Sequence, residues 1–139
     1  MPIRDELTYA KMSYKDFIVS YKRLRKGELR LSAFRAYKAE RRLLQSLAMR
    51  YDLYNRKTKC AVPKKEMLLV ASQLEGLFKG IRKLTEIALS LFDEYRKGEV
   101  KKEDIISLLS GHKNEWLSGK LSQDGISEIK KLQSTPNSL

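Results

Sequence analysis

The sequence predicts an all-α fold, a helical bundle of three long helices plus one or two short C-terminal helices. Three observations predict it. Apolar residues recur at spacings of three and four through most of the chain, the period of one helix face. No stretch shows the alternation of a half-buried strand. Gly27, Pro63, Gly98 and Gly111 fall between the periodic segments, where helices stop or start. The expected organisation is one helical domain over residues 1–133, with a frayed tail at 134–139.

The first helix is expected over residues 3–26. Leu7, Ala10, Tyr14, Phe17, Tyr21 and Leu24 form its stripe. Asp5 and Glu6 lie in the first turn and Arg23, Arg25 and Lys26 in the last, as the helix dipole favours. Gly27 then stops it. Lys11, Lys15, Lys22 and Lys26 make a row beside the stripe.

The second helix is expected over residues 29–56, on Ala33, Tyr37, Leu44, Leu47, Tyr51 and Tyr54. Glu40 falls on the same line, and a carboxylate there is expected either at the stripe's edge or paired with a neighbouring arginine, a structural ion pair rather than a catalytic group. Arg35, Lys38 and Arg42 make a basic ridge on another side. NRKTKCAVP, residues 55–63, reads as a basic loop, and Pro63 is placed to open the next helix.

Residues 64–97 read as the apolar, central helix of the bundle. Val70, Leu74, Leu77, Ile81, Leu84, Ala88, Leu91 and Tyr95 hold the spacing, and Leu69, Phe78, Leu89 and Phe92 widen the face. Gly76 and Gly80 within it imply either close approach of another helix or a kink near residue 78. Beyond Gly98, a short helix is expected over 99–111 and another over 123–133, capped by Ser122. Trp116 and Leu117 are expected to dock onto the bundle.

A chain of 139 residues suits one domain, and 42% hydrophobic with 33% charged residues is a globular composition. No apolar run reaches the ~20 residues of a membrane span. The first residues, MPIRDELTYA, lack the apolar core of a secretory signal, so an intracellular, cytoplasmic location is expected. Cys60 and His112 are the only residues of their kinds, too few for a structural zinc site. No phosphate-cradling glycine loop, HExxH or GxSxG occurs. Asp93 with Glu94, and Glu103 with Asp104, are sequence neighbours that point to different helix sides. No catalytic residue, metal or cofactor is therefore expected, and the protein is read as no enzyme.

The net charge is +12, unevenly spread. Residues 1–59 hold 16 Lys and Arg against 6 Asp and Glu; residues 60–139 hold 13 against 11. Such asymmetry implies a polyanionic partner. Lysine and arginine neutralise phosphates and release counterions, which gives salt-dependent affinity for any sequence. Tyr14, Tyr21, Tyr37, Tyr51 and Tyr54 lie on the stripes and are expected in the core, hydroxyls at its edge. Phosphate contact is therefore assigned to Lys22, Arg25, Lys26, Arg30, Arg35, Lys38 and Arg42, then to Arg56, Lys57 and Lys59, and no base stacking to the tyrosines.

ASQLEGLFKGIRKLTEIALSLF, residues 71–92, resembles the signature helix of the archaeal GINS helical domain, on Leu74, Leu77, Ile81, Arg82, Leu84, Ile87 and Ala88. The resemblance implies a non-catalytic scaffold that joins the replicative helicase to its partners. The family's small β-domain is not visible after residue 98, and a net charge of +12 is high for it. The expected function is thus a basic helical subunit or accessory protein of a nucleic-acid machine, binding DNA or RNA backbone. Protein partners or self-association would use the helix at 64–97, and no membrane is involved. The alternative is a scaffold that docks an acidic protein. A nuclease with scattered acids is a third, minor reading.

Overall fold

The computed structural model describes residues 6–53, 62–113 and 116. Those residues form helices joined by turns, with no strand among them. The elements are α1 (Glu6–Arg25), α2 (Leu29–Arg50), a single 3-10 turn (Lys64–Glu66), α3 (Met67–Leu74), α4 (Ile81–Lys97) and α5 (Lys102–Gly111).

α1 and α2 are an antiparallel hairpin. Gly27, at φ 77°, turns the chain, and the Glu28 N–H reaches back to the Arg23 carbonyl at 3.0 Å. The seam between them is lined by small residues. Ser13 Oγ donates to the Ala39 carbonyl at 2.7 Å. Ser20 and Ser32 donate to each other's carbonyls at 2.8 and 2.9 Å, and Ser46 donates to the Glu6 carbonyl at 2.9 Å. Each step up α1 is matched by an equal step down α2, so these bonds hold one register. Small side chains let the backbones come close enough for a hydroxyl to span the gap.

The central helix is α2 rather than the 64–97 segment. It packs on α1, α3, α4 and α5, and half of its 22 residues are buried. It ends at Arg50, short of the expected 56. Asp52 takes a left-handed conformation at φ 57°, and the Leu53 N–H closes onto the Ala48 carbonyl at 2.8 Å. Tyr51 therefore leaves the stripe and is exposed, its ring edge-on to Phe78.

The expected third helix is two helices. α3 stops at Leu74, and α4 begins after Gly80, which sits at φ 97°. Of the two roles open to Gly76 and Gly80, the break is the one found, since a Cβ at either would meet nothing within 4 Å. Glu75 restarts the helix. Its carboxylate accepts the N–H groups of Gly80 at 2.8 Å and Arg82 at 3.0 Å, two donors that a helix start leaves without carbonyls. These bonds hold Glu75 below the usual carboxylate range. The break swings Leu77 out of line, and it is 65% exposed.

The core runs from Phe17, Tyr21 and Leu24 through Leu43, Leu44 and Leu47 to Met67, Leu74, Ile81, Leu91, Ile105 and Leu108. α5 lies between the expected bounds of its short helix, and Trp116 docks on the bundle with its ring edge towards Phe78. Gly111 at the end of α5 admits the Leu84 side chain, which would lie 2.5 Å from a Cβ there. Tyr21 Oη donates to the Leu109 carbonyl at 3.1 Å and ties α1 to this corner. Leu117, the helix expected at 123–133 and the tail at 134–139 lie outside the described residues, as do Tyr54 and Cys60.

Candidate nucleic-acid interface

The hairpin carries more cations than acids on its solvent-facing residues. Residues 6–53 carry twelve lysines and arginines, at positions 11, 15, 22, 23, 25, 26, 30, 35, 38, 41, 42 and 50. All are exposed or half-buried. The same span carries five acids, of which Asp16 and Glu40 are buried, leaving Glu6, Glu28 and Asp52 near solvent.

Asp16 is the residue that organises the ridge. Its side chain is 3% exposed, and its two oxygens are taken by two arginines from α2. Arg35 Nη1 binds one at 2.9 Å, and Arg42 Nη1 binds the other. A carboxylate buried this deeply requires such partners. Lys38 lies between them on the same side of α2. Burial, then the Arg42 guanidinium, holds its ammonium below the usual lysine range. Three cations against one anion leave the ridge positive, with two guanidiniums fixed in place.

Lys22, Arg25 and Lys26 are exposed around the end of α1, and Arg30 is exposed at the start of α2. Arg30 Nε donates to the Tyr95 carbonyl at 3.2 Å, and its guanidinium lies 4.7 Å from the centre of that ring. Tyr95 stacks on Phe34, centroids 4.8 Å apart and planes 13° apart. Lys38 Nζ lies 5.3 Å from the centre of the Phe34 ring. The structure thus groups Arg30, Arg35, Lys38 and Arg42 along α2, with Lys22, Arg25 and Lys26 at the hairpin's turn. Arg56, Lys57 and Lys59 lie outside the described residues.

Two buried titratable groups sit away from this surface. Glu40 is not in an ion pair. It is fully buried, and Thr85 Oγ1 of α4 donates to its Oε1 at 3.1 Å. Its Oε2 has no hydrogen-bond partner among the described residues. Burial pushes its carboxyl up to about 8. His112 follows α5 and stacks on Phe17 with centroids 4.0 Å apart. Burial pushes it down to about 3.

The acids Glu94 and Asp104, from the two sequence pairs, do meet across α4 and α5. Burial, then a hydrogen bond with the Asp104 carboxyl, raises Glu94 above its ordinary range. Its carboxylate also accepts the Lys101 N–H at 2.7 Å, at the start of α5. Among the described residues, no group of three or more His, Cys, Asp or Glu could hold a metal ion. Among them, too, no helix is long and apolar enough to cross a membrane.

Sequence reasoning missed Asp16, Phe34 and Tyr95 as parts of this surface. Asp16 stood as one acid beside Lys15, with nothing to mark its burial; Phe34 lies off the stripe of α2. No protein-family model, curated protein or solved structure matches the chain.

Proposed function

We propose that the protein is a non-enzymatic helical subunit or accessory protein of a nucleic-acid machine, binding DNA or RNA backbone through the α1–α2 hairpin. The observation that carries this reading is the imbalance of twelve surface cations against three surface acids on residues 6–53. Of the two buried acids, Asp16 still offsets the arginines it pairs with, while Glu40 is held neutral by its burial. Lys22, Arg25, Lys26, Arg30, Arg35, Lys38 and Arg42 hold the phosphates, and Arg56, Lys57 and Lys59 extend the same charge in sequence. A replication-complex scaffold is the narrower form of the reading and rests on the resemblance of residues 71–92 to the GINS helical domain.

A salt series with generic labelled DNA and RNA tests it. Affinity should fall on a log–log plot with a slope of several, each neutralised phosphate contributing about 0.9 for duplex DNA. Changing Lys22, Lys26 and Lys38 together to Gln should lower that slope by about three. These lysines are preferred to Arg35 and Arg42. A charge reversal at either arginine would set a carboxylate against buried Asp16 and report on folding as well as binding. Absence of binding at low salt would overturn the proposal.

One observation favours the second reading, a scaffold for a protein partner. Leu69 and Leu77 are 61% and 65% exposed, on α3 and in the turn after it. Recovery of an acidic protein after nuclease digestion would support it over the first.

A further inference from the structure

Beside the phosphate-binding ridge lies a hollow of about 190 Å³, lined by Arg23, Leu31, Phe34, Arg35, Lys38 and Tyr95. We propose that it is a subsite for one unpaired base of a bound strand, stacked on the Phe34 ring with its phosphates on Arg23, Arg35 and Lys38. The inference rests on the backbone-binding reading above and deepens it, because it selects single-stranded nucleic acid.

The hollow is smaller than the ~300–1,000 Å³ of a site that encloses a drug-sized ligand, and suits a single planar ring. Its walls are of two kinds. Two rings, Phe34 and Tyr95, are stacked at 4.8 Å, so each gives one face to the other and Phe34 keeps one face for a ligand. Three cations surround them. The two guanidiniums are held from behind by carboxylates: Arg23 by Glu28 at 3.0 Å, and Arg35 by Asp16 at 2.9 Å. Arg35, on the buried carboxylate, keeps its position before any ligand arrives, though part of its charge is offset there. Leu31, 49% exposed on the rim, adds an apolar edge.

Lys38 is the moving part. Its ammonium now lies 5.3 Å from the centre of the Phe34 ring, one turn back along α2. A cation over an exposed ring is held less strongly than a base stacked there. Lys38 is also crowded by Arg35 and Arg42, so its charge is better placed on an incoming phosphate. A strand that supplies both phosphate and base draws the ammonium off the ring and fills the face it leaves. A duplex supplies only the phosphate, since its bases remain stacked on one another.

The test compares a short oligothymidylate with an abasic oligonucleotide of the same length, by fluorescence anisotropy across a salt series. The two carry the same phosphates and differ only in bases. Expected is an affinity for the thymidylate higher by about tenfold, with similar salt slopes. Phe34→Leu keeps an apolar side chain of similar bulk but removes the ring. It should abolish the advantage and leave the abasic affinity unchanged, its fold checked by circular dichroism. Equal binding of the two probes by the unsubstituted protein overturns the subsite and leaves the backbone reading standing. A base advantage that persists in a folded Phe34→Leu protein also overturns it. No binding of either probe at low salt overturns both readings. The probe comparison needs no variant, so the test stands even where Phe34→Leu does not fold.

Discussion

At Glu40 and His112 the bundle encloses two titratable side chains in their neutral forms, and the consequence is read in pH. Glu40 rises from an ordinary 4.5 to about 8 on folding. Its contribution is fully present below pH 4.5 and is lost as pH rises towards 8, by about 1.4 kcal/mol per pH step while the unfolded chain alone is ionised. His112 falls from 6.5 to about 3. Its contribution is fully present above pH 6.5 and is lost as pH falls towards 3. Between pH 4.5 and 6.5 the two slopes oppose and cancel, so these groups give a plateau there with a decline on either side. Denaturant midpoints across pH should show it. Glu40→Gln should remove the alkaline decline, because its amide oxygen still accepts from Thr85 and nothing there ionises. Asp16→Asn acts differently. It should weaken the fold by about 1–3 kcal/mol by losing two charge-assisted bonds. It should also tighten nucleic-acid binding, since it frees two guanidiniums from their counter-charge. Loss of stability with unchanged affinity would mean that Arg35 and Arg42 serve the fold alone.

At the scale of the element, helix ends decide most of what differs from simple periodicity. Asp52 closes α2 in a left-handed conformation that glycine adopts more readily. Asp52→Gly should raise stability by about 0.5 kcal/mol, seen as a higher denaturant midpoint at an unchanged slope, part of the gain being offset by the entropy of the unfolded glycine. The periodic apolar residues located α1, the start of α2 and the run of α4, because burial on one helix face writes itself into spacing. The break at residues 75–80 was harder to read, since Leu74, Leu77, Ile81 and Leu84 keep the spacing straight through it. Only Gly76 and Gly80 marked it. The hairpin seam was invisible for another reason. It is built on Ser13, Ser20, Ser32 and Ser46, and a pattern drawn through apolar residues passes over serine. At the candidate interface the sequence located the charge but not its partners. Asp16 lies 19 and 26 residues from the arginines that hold it, and Phe34 meets Tyr95 only once α4 lies on α2. Such pairs exist in the packing and not in the spacing.

For the molecule as a whole, the excess of cations over acids lies on the α1–α2 hairpin, while the two most exposed of the large apolar side chains, Leu69 and Leu77, lie on α3 and the turn after it. A polyanion and a protein partner would therefore meet different elements. The hairpin has a further consequence, in the time course of folding. Its reciprocal serine bonds join residues only 12 apart, whereas the bond from Tyr21 to Leu109 closes 88. Closing the shorter loop costs less chain entropy, so the hairpin forms early and the α5 corner docks late. Ser32→Ala should slow refolding and leave the unfolding rate nearly unchanged, while Tyr21→Phe should hasten unfolding and leave refolding alone. Stopped-flow rates for the two variants would give the order of assembly, and show whether the basic hairpin stands before α4 and α5 dock on it.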